Sequence, residues 1–304
     1  MNLRHAALDI NKFHTTCNQE VQLTDYPLAT HCVSNALCYS GNSILECLAE
    51  KTKKFAFQQE ITKALQVGPG VIIVQGFFDN TEVIDQHNQL LDELFELQSG
   101  QQAADHFAQA GANGRIWNVL QKSALHSPRK FIEYYKNPLF SFISEAWLGP
   151  HYQLTAQVNV VRPGGKAQAP HRDYHLGFQD EALLADYPLH VHMMSTMLTL
   201  QGAVAHTDMP LESGPTLLLP FSQQYPEGYL AWRRGAFKDY FAKHAVQAPL
   251  KKGDAMFFNP ALFHAAGDNH TKAFHRIANL FQVSSAFGRA MEAVDREAMC
   301  LAIY

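Results

Sequence analysis

Hydrophobic and polar positions divide the chain into two textures. Residues 1 to about 66 are polar and irregular, dotted with cysteine, and end in a helical stretch around Phe55–Leu65. From Val71 the pattern changes: Val71-Ile72-Ile73-Val74 reads as a buried strand closed by Gly76. A helix follows from an Asn80 cap, with Val83, Ile84, Leu90, Leu91, Leu94 and Leu97 at three-to-four spacing. Ser127-Pro128 opens a further helix running through Phe131, Ile132 and Tyr135 to Trp147. Beyond Gly149 the period becomes that of strands, at Gln153–Val161, His190–Gln201, Pro215–Leu219, Ala255–Asn259 and Ala273–Ser284. Turn signals separate them: Pro163-Gly164-Gly165, Ser213-Gly214-Pro215, Gly253-Asp254 and Gly267-Asp268-Asn269. A helix over about Gly288–Leu301 closes the chain. Many short strands with flanking helices predict a mainly β sandwich or barrel with helical buttresses. The division predicts an N-terminal extension, 1–66, packed on a core domain over 67–304.

Composition narrows this only slightly. With 304 residues, 47% hydrophobic and 17% charged, the chain supports a full-sized core. A net charge of −4 gives no pull towards nucleic acid or an anionic membrane, and no apolar run approaches a membrane span. Lys51-Thr52-Lys53-Lys54 sits beside Glu46 and Glu50 and reads as a solvated helix face. Cys17, Cys32, Cys38, Cys47 and Cys300 are odd in number and lack CxxC spacing, so neither disulfides nor a zinc site is expected. The start of the chain lacks the apolar stretch of a signal peptide, which makes a reducing cytoplasm the expected compartment. No G-x-S-x-G, P-loop or GxGxxG occurs, so hydrolase, NTPase and dehydrogenase readings lose their usual signatures.

Sixteen histidines are the compositional excess that matters, because neutral imidazole is the commonest protein metal ligand. A 2-His-1-carboxylate facial triad leaves open positions on an octahedral iron, and in strand-built sites it often shows as His-x-Asp plus a distant His. His171-Arg172-Asp173 offers the pair, after a β run and Pro163-Gly164-Gly165; His264 is the distal candidate. One accidental His-x-Asp is expected at this histidine content, and a second, His206-Thr207-Asp208, is present. Arg276 strengthens the first. If Gly267–Lys272 is a hairpin turn centred near residue 270, positions 264 and 276 become cross-strand neighbours. An inward arginine there would grip the far carboxylate of a dicarboxylate co-substrate bidentately.

Three stretches now resemble one family. Asn159-Val-Val-Arg-Pro-Gly-Gly with Pro170-His171-Arg172-Asp173 is similar to the first metal segment of the phytanoyl-CoA dioxygenase family of iron/2-oxoglutarate oxygenases. The stretch from Asp208 through Ser213-Gly214-Pro215 to Pro220-Phe221-Ser222 resembles its acidic loop, apolar strand and proline. Gly253-Asp254-Ala-Met-Phe-Phe, then His264 and Arg276, resembles its closing segment. The resemblance spans about Val71 to Ala286. It implies a double-stranded β-helix (a jelly-roll, cupin-like fold) with Fe(II) held by His171, Asp173 and His264, and 2-oxoglutarate held by Arg276. It also implies that 2-oxoglutarate and O₂ are consumed, with succinate and CO₂ released, while a small organic substrate is hydroxylated or otherwise oxidised. Asp208 falls in the acidic loop, so His206 and Asp208 are not the expected metal pair.

Two departures are visible. Phe221-Ser222-Gln223 stands where the family usually has glycine, serine and histidine, and Ala278 stands where related oxygenases often place a serine. A second contact to the co-substrate must then come from elsewhere; Gln157 and Asn159, on one face of the strand before His171, are candidates. Asp173 being a carboxylate leaves no position for a halide and favours hydroxylation over halogenation. Arg172, Tyr174 and His175 lie close to the metal pair and are candidates to line a substrate mouth, with solvent exposure the equal alternative; His175, His190, His192, His270 and His275 read as core or surface histidines and not as ligands. Asn269-His270-Thr271 fits a glycosylation sequon that an intracellular chain would carry by accident. The alternatives are a cupin-like metal isomerase or lyase that does not use 2-oxoglutarate, and a non-catalytic small-molecule binding protein on the same fold.

Overall fold

The structure, a computed structural model, describes residues 7–98 and 113–304. Its strands are β1 (His31–Val33), β2 (Ala36–Ser40), β3 (Val71–Gln75), β4 (Asn113–Ile116), β5 (Gln153–Val161), β6 (Thr199–Ala205), β7 (Leu217–Leu219), β8 (Ala255–Phe258), β9 (Phe263–Ala265) and β10 (Arg276–Ser284). Eight form one sheet in the order β1-β2-β3-β8-β6-β10-β5-β4; β7 and β9 form a small second sheet. Only the β2–β3 pairing is parallel among the described strands.

Alternation along the central strands separates the two faces of the large sheet. Ala156 and Val158 of β5, Phe281 and Val283 of β10, Leu200 and Val204 of β6 and Phe257 of β8 share one apolar cluster. Leu90, Leu91 and Leu94 of the helix Glu82–Leu97 and Phe140, Phe142 and Ile143 of the helix Pro138–Leu148 join it. The Phe140 and Phe281 rings meet edge-to-face at 5.0 Å. Truncating so enclosed an aromatic side chain costs about 3–5 kcal/mol. The opposite face, carrying Gln157, Asn159, Gln201, Ala203, Arg276, Ala278, Leu280 and Gln282, lines a cavity of about 330 Å³. The sheet thus divides its labour, with a dry helical side that fixes it and a mixed side left for a ligand.

Several expectations are adjusted by the structure. The predicted strand His190–Gln201 is a helix over Leu189–Leu198, capped by Pro188, and β6 begins only at Thr199. Leu and Met side chains, unbranched at Cβ, favour a helix, and the first β-branched residue past them, Thr199, opens the strand. The long helix from Pro128 is two, Pro128–Tyr135 and Pro138–Leu148, because Pro138 forces Asn137 out of helical geometry and turns it into an N-cap. The closing helix runs Arg296–Ile303, capped by Asp295, while residues 288–295 are irregular. In the polar N-terminal region, Ala36-Leu37-Cys38-Tyr39 is a buried strand, so residues 31–40 extend the large sheet by two strands. No helix among the described residues is long and apolar enough to cross a membrane.

Candidate active site

At the end of β5 the chain turns through Pro163-Gly164-Gly165, where Gly164 adopts φ +74°, a conformation that favours glycine. Asn269 locks this turn: its amide donates to the carbonyls of Val161 (3.0 Å) and Phe274 (2.9 Å). The asparagine of the sequon is therefore fully buried, its amide committed to the backbone. Residues 168–173 then run antiparallel to 260–266. The N–H of Gln168 donates to Ala266 O, that of His171 to His264 O (3.0 Å), that of His264 back to His171 O (3.1 Å), and that of Asp173 to Pro260 O. His171 and His264 are thus the cross-strand pair.

This corrects the expected hairpin. Arg276 does not lie across from His264; it sits at the start of β10 opposite Val161 of β5. The chain leaves β9 in the small sheet and, with Asn269 pinned over β5, re-enters the large sheet at β10, so the two residues face one cavity from opposite sheets.

His171, Asp173 and His264 come together as the one cluster of potential metal ligands found among the described residues, their ligand atoms all within 4.8 Å of one another. Each histidine Nε2 lies 3.8 Å from an Asp173 oxygen, His171 from Oδ1 and His264 from Oδ2. The other ring nitrogens are anchored: His171 Nδ1 to Ala169 O (2.9 Å) and His264 Nδ1 to Leu262 O (2.8 Å). A carbonyl only accepts, so both Nδ1 atoms carry the proton and both Nε2 lone pairs face Asp173. Burial, assisted by neighbouring His171, pushes the His264 pKa down to about 4, which keeps that ring neutral and ligand-competent. Asp173 Oδ2 accepts from the amides of Gln201 and Gln282, the latter at 3.3 Å, whereas its buried Oδ1 has no hydrogen-bond partner. An orphaned carboxylate oxygen beside two oriented imidazole nitrogens fits a divalent metal ion. Bonds of roughly 2.1 Å at right angles put ligand atoms about 3 Å apart, a small contraction from the distances here.

Arg276 is buried, with Nη1 donating to Ser213 O at 2.9 Å. Burial lowers its pKa to about 10, so it stays cationic at neutral pH. Asn159 lines the same cavity with a buried, unpaired Oδ1, while Gln157 Oε1 accepts from Arg115 Nη1 (2.9 Å). Sequence reading missed Gln201, Gln282, Gln168 and Thr216, all in the lining. Alternation from Arg276 through Ala278 and Leu280 would have put Gln282 on the inner face; nothing local marks Gln201.

The expected mouth is also corrected. Between inward His171 and Asp173, alternation turns Arg172 outward, where it donates to Ser222 O and lies over the Tyr229 and Phe263 rings at 5.2 and 5.1 Å. Tyr174 and His175 are likewise buried and do not line the cavity; Gly177 and Phe178 do. His206 has both ring nitrogens engaged, by Tyr134 Oη (2.8 Å) and Asn88 Oδ1 (2.6 Å), and Asp208 Oδ1 accepts from the Lys252 N–H.

A strand-built pocket with two histidines, a carboxylate and an inward arginine defines the class of metal-dependent oxygenases. Residues 68–278 match the model of the phytanoyl-CoA dioxygenase (PhyH) family, and the chain belongs to that family. It is similar to the dioxygenase aneA of Aspergillus aculeatus, 26% identical over 72% of this chain and 71% of the relative. The dioxygenase trt7 of Aspergillus terreus is 24% identical over 68% and 67% of the two chains. Among solved structures, the non-haem α-ketoglutarate-dependent epimerase SnoN of nogalamycin biosynthesis shares the fold. Its TM-score is 0.53 at 20% identity, over 76% of this chain and 83% of that one. HygX of Streptomyces hygroscopicus, solved with nickel and 2-oxoglutarate, matches at TM-score 0.52 and 12% identity, over 75% and 87%.

Proposed function

We propose that this chain is an Fe(II)- and 2-oxoglutarate-dependent dioxygenase that hydroxylates, or otherwise oxidises, a small organic molecule on a double-stranded β-helix. The observation that carries the reading is the convergence of His171, Asp173 and His264 in a cavity that Arg276 enters from the facing sheet. The large sheet and the small β7–β9 sheet across that cavity support the jelly-roll assignment. When bound, iron with 2-oxoglutarate and O₂ supplies the oxidising chemistry, releasing succinate and CO₂ and delivering oxidation to the substrate.

The protein's own part is position and environment. His171 and His264 present oriented nitrogen donors; Gln201 and Gln282 hold Asp173 Oδ2, leaving Oδ1 unpaired beside His171. Arg276 offers a desolvated cation to the distal carboxylate of the keto acid, and Asn159 offers an amide further along β5. Arg276 is what separates this reading from a cupin-like isomerase or lyase, which has no need of a carboxylate clamp. The test is anaerobic titration of the Fe(II) protein with 2-oxoglutarate, following the metal-to-ligand charge-transfer band, then succinate formation against a metabolite panel in O₂. Absence of the band, with iron bound, would refute the proposal.

A further inference from the structure

Asp173 and Glu292 are the two carboxylates in the cavity lining among the described residues. Asp173 is accounted for by the metal site; Glu292 is not, and it lies outside the segment matched to the family. It belongs to the irregular stretch before the helix Arg296–Ile303, and that stretch is laced to the loop after β4. The backbone N–H of Asn118, held in the left-handed region at φ 50°, donates to Glu292 Oε1 at 2.7 Å. Asn118 Nδ2 donates to Ala293 O (3.2 Å), and the Asp295 N–H donates to Gln121 Oε1 (2.8 Å).

One oxygen of Glu292 therefore does all the structural anchoring. The second, Oε2, is buried and unpaired among the described residues. Burial raises the carboxyl above its usual value; the Asn118 N–H, the Gln157 side chain, Lys122 and Arg115 act in the opposite sense. A buried acceptor without a donor is uncommon in a finished structure and is met by a ligand when it lines a cavity. Beside Arg115 and Gln157, the lining carries the apolar Trp117, Leu280, Met291 and Phe178, the last of them 50% exposed.

We propose that Glu292 selects and orients the substrate: its Oε2 accepts a hydrogen bond from a hydroxyl or ammonium group on a molecule whose apolar body rests against Trp117, Met291 and Phe178. This rests on the dioxygenase reading and narrows its substrate to apolar molecules with one hydrogen-bond-donating head. Glu292→Gln is the decisive variant. Its amide oxygen is kept on the Asn118 N–H, so the NH₂ faces the cavity and an acceptor becomes a donor with the anchor preserved.

The experiment uses the iron-loaded protein with 2-oxoglutarate under anaerobic conditions and isothermal titration calorimetry, which reads binding without turnover. Three probes share one body: cyclohexylmethanol, cyclohexylmethylamine and methylcyclohexane. Wild type is expected to bind the alcohol or the amine more tightly than the hydrocarbon, and the tighter of the two identifies the donor. Glu292→Gln is expected to lose roughly ten- to hundredfold in affinity for the favoured probe, the scale of a hydrogen bond to a charged group, with methylcyclohexane unchanged. Absence of a preference in wild type, or its survival in Glu292→Gln, would overturn the proposal. The 2-oxoglutarate titration on the same samples keeps the two readings apart. If wild type does not bind the keto acid, the dioxygenase reading is the one that fails.

Discussion

Replacing Arg276 by alanine removes a guanidinium that is 6% exposed, pinned by Ser213 O, and cationic at any pH below about 10. If it grips the far carboxylate of 2-oxoglutarate, the loss is that of a charge-assisted, partly desolvated contact, about 2–5 kcal/mol. At about 1.4 kcal/mol per tenfold, the apparent 2-oxoglutarate affinity should weaken by roughly 30-fold to several-thousand-fold. Arg276→Lys keeps a charge without the planar fork, so it should fall between wild type and Arg276→Ala. Iron affinity should barely change, because the side chain lies outside the His171–Asp173–His264 cluster. The assay is the charge-transfer titration of anaerobic Fe(II) protein, with iron content measured in parallel. An unchanged curve for Arg276→Ala would refute the clamp.

His171→Ala, Asp173→Ala and His264→Ala should each lose iron, read by elemental analysis, while His206→Ala retains it at some cost in thermal stability; the reverse pattern would show the wrong pair was chosen. His87 is fully buried with its pKa pushed down to about 3, so it is neutral when folded but takes up a proton when unfolded below about 6.5. Its contribution to stability is therefore intact above pH 6.5 and falls by about 1.4 kcal/mol per pH unit below it. Urea unfolding at pH 7.5 and 5.5 should show a shallower acid loss for His87→Leu, and an identical loss in both proteins would contradict this. Gly228 leaves no room for a Cβ beside the Arg172 guanidinium, so Gly228→Ala should displace the side chain between His171 and Asp173. A lowered unfolding midpoint together with weaker iron binding is expected; wild-type values of both would disprove the coupling.

Much of the site was readable because strand chemistry is local. A run such as Gln153–Val161 announces its own period, and the structure places β5 over those residues. His-x-Asp needs only two positions on one side of an extended chain, and His171 and Asp173 do emerge together. Where a segment's propensity and its final environment disagree, sequence reading faltered: Leu189–Leu198 has strand-like apolar content but helix-forming side chains. Strand β2 was hidden in a polar region because only four consecutive residues carry its signal.

By itself, the sequence determined the residue types of the site, the order in which they occur, and which strand faces are apolar, since these follow from side-chain chemistry and a two-residue repeat. Only the tertiary structure decided which sheet each strand joins. That decision made His171 the neighbour of His264, sent Arg276 to the facing sheet, and brought Gln201 and Gln282 onto one Asp173 oxygen. It also carried Glu292, from an irregular stretch after the last strand, into the wall of the cavity. The physical reason is that pairing between distant strands depends on the loop bonds that aim them, such as those of Asn269 and Asn118, and neither partner's sequence contains the other's position.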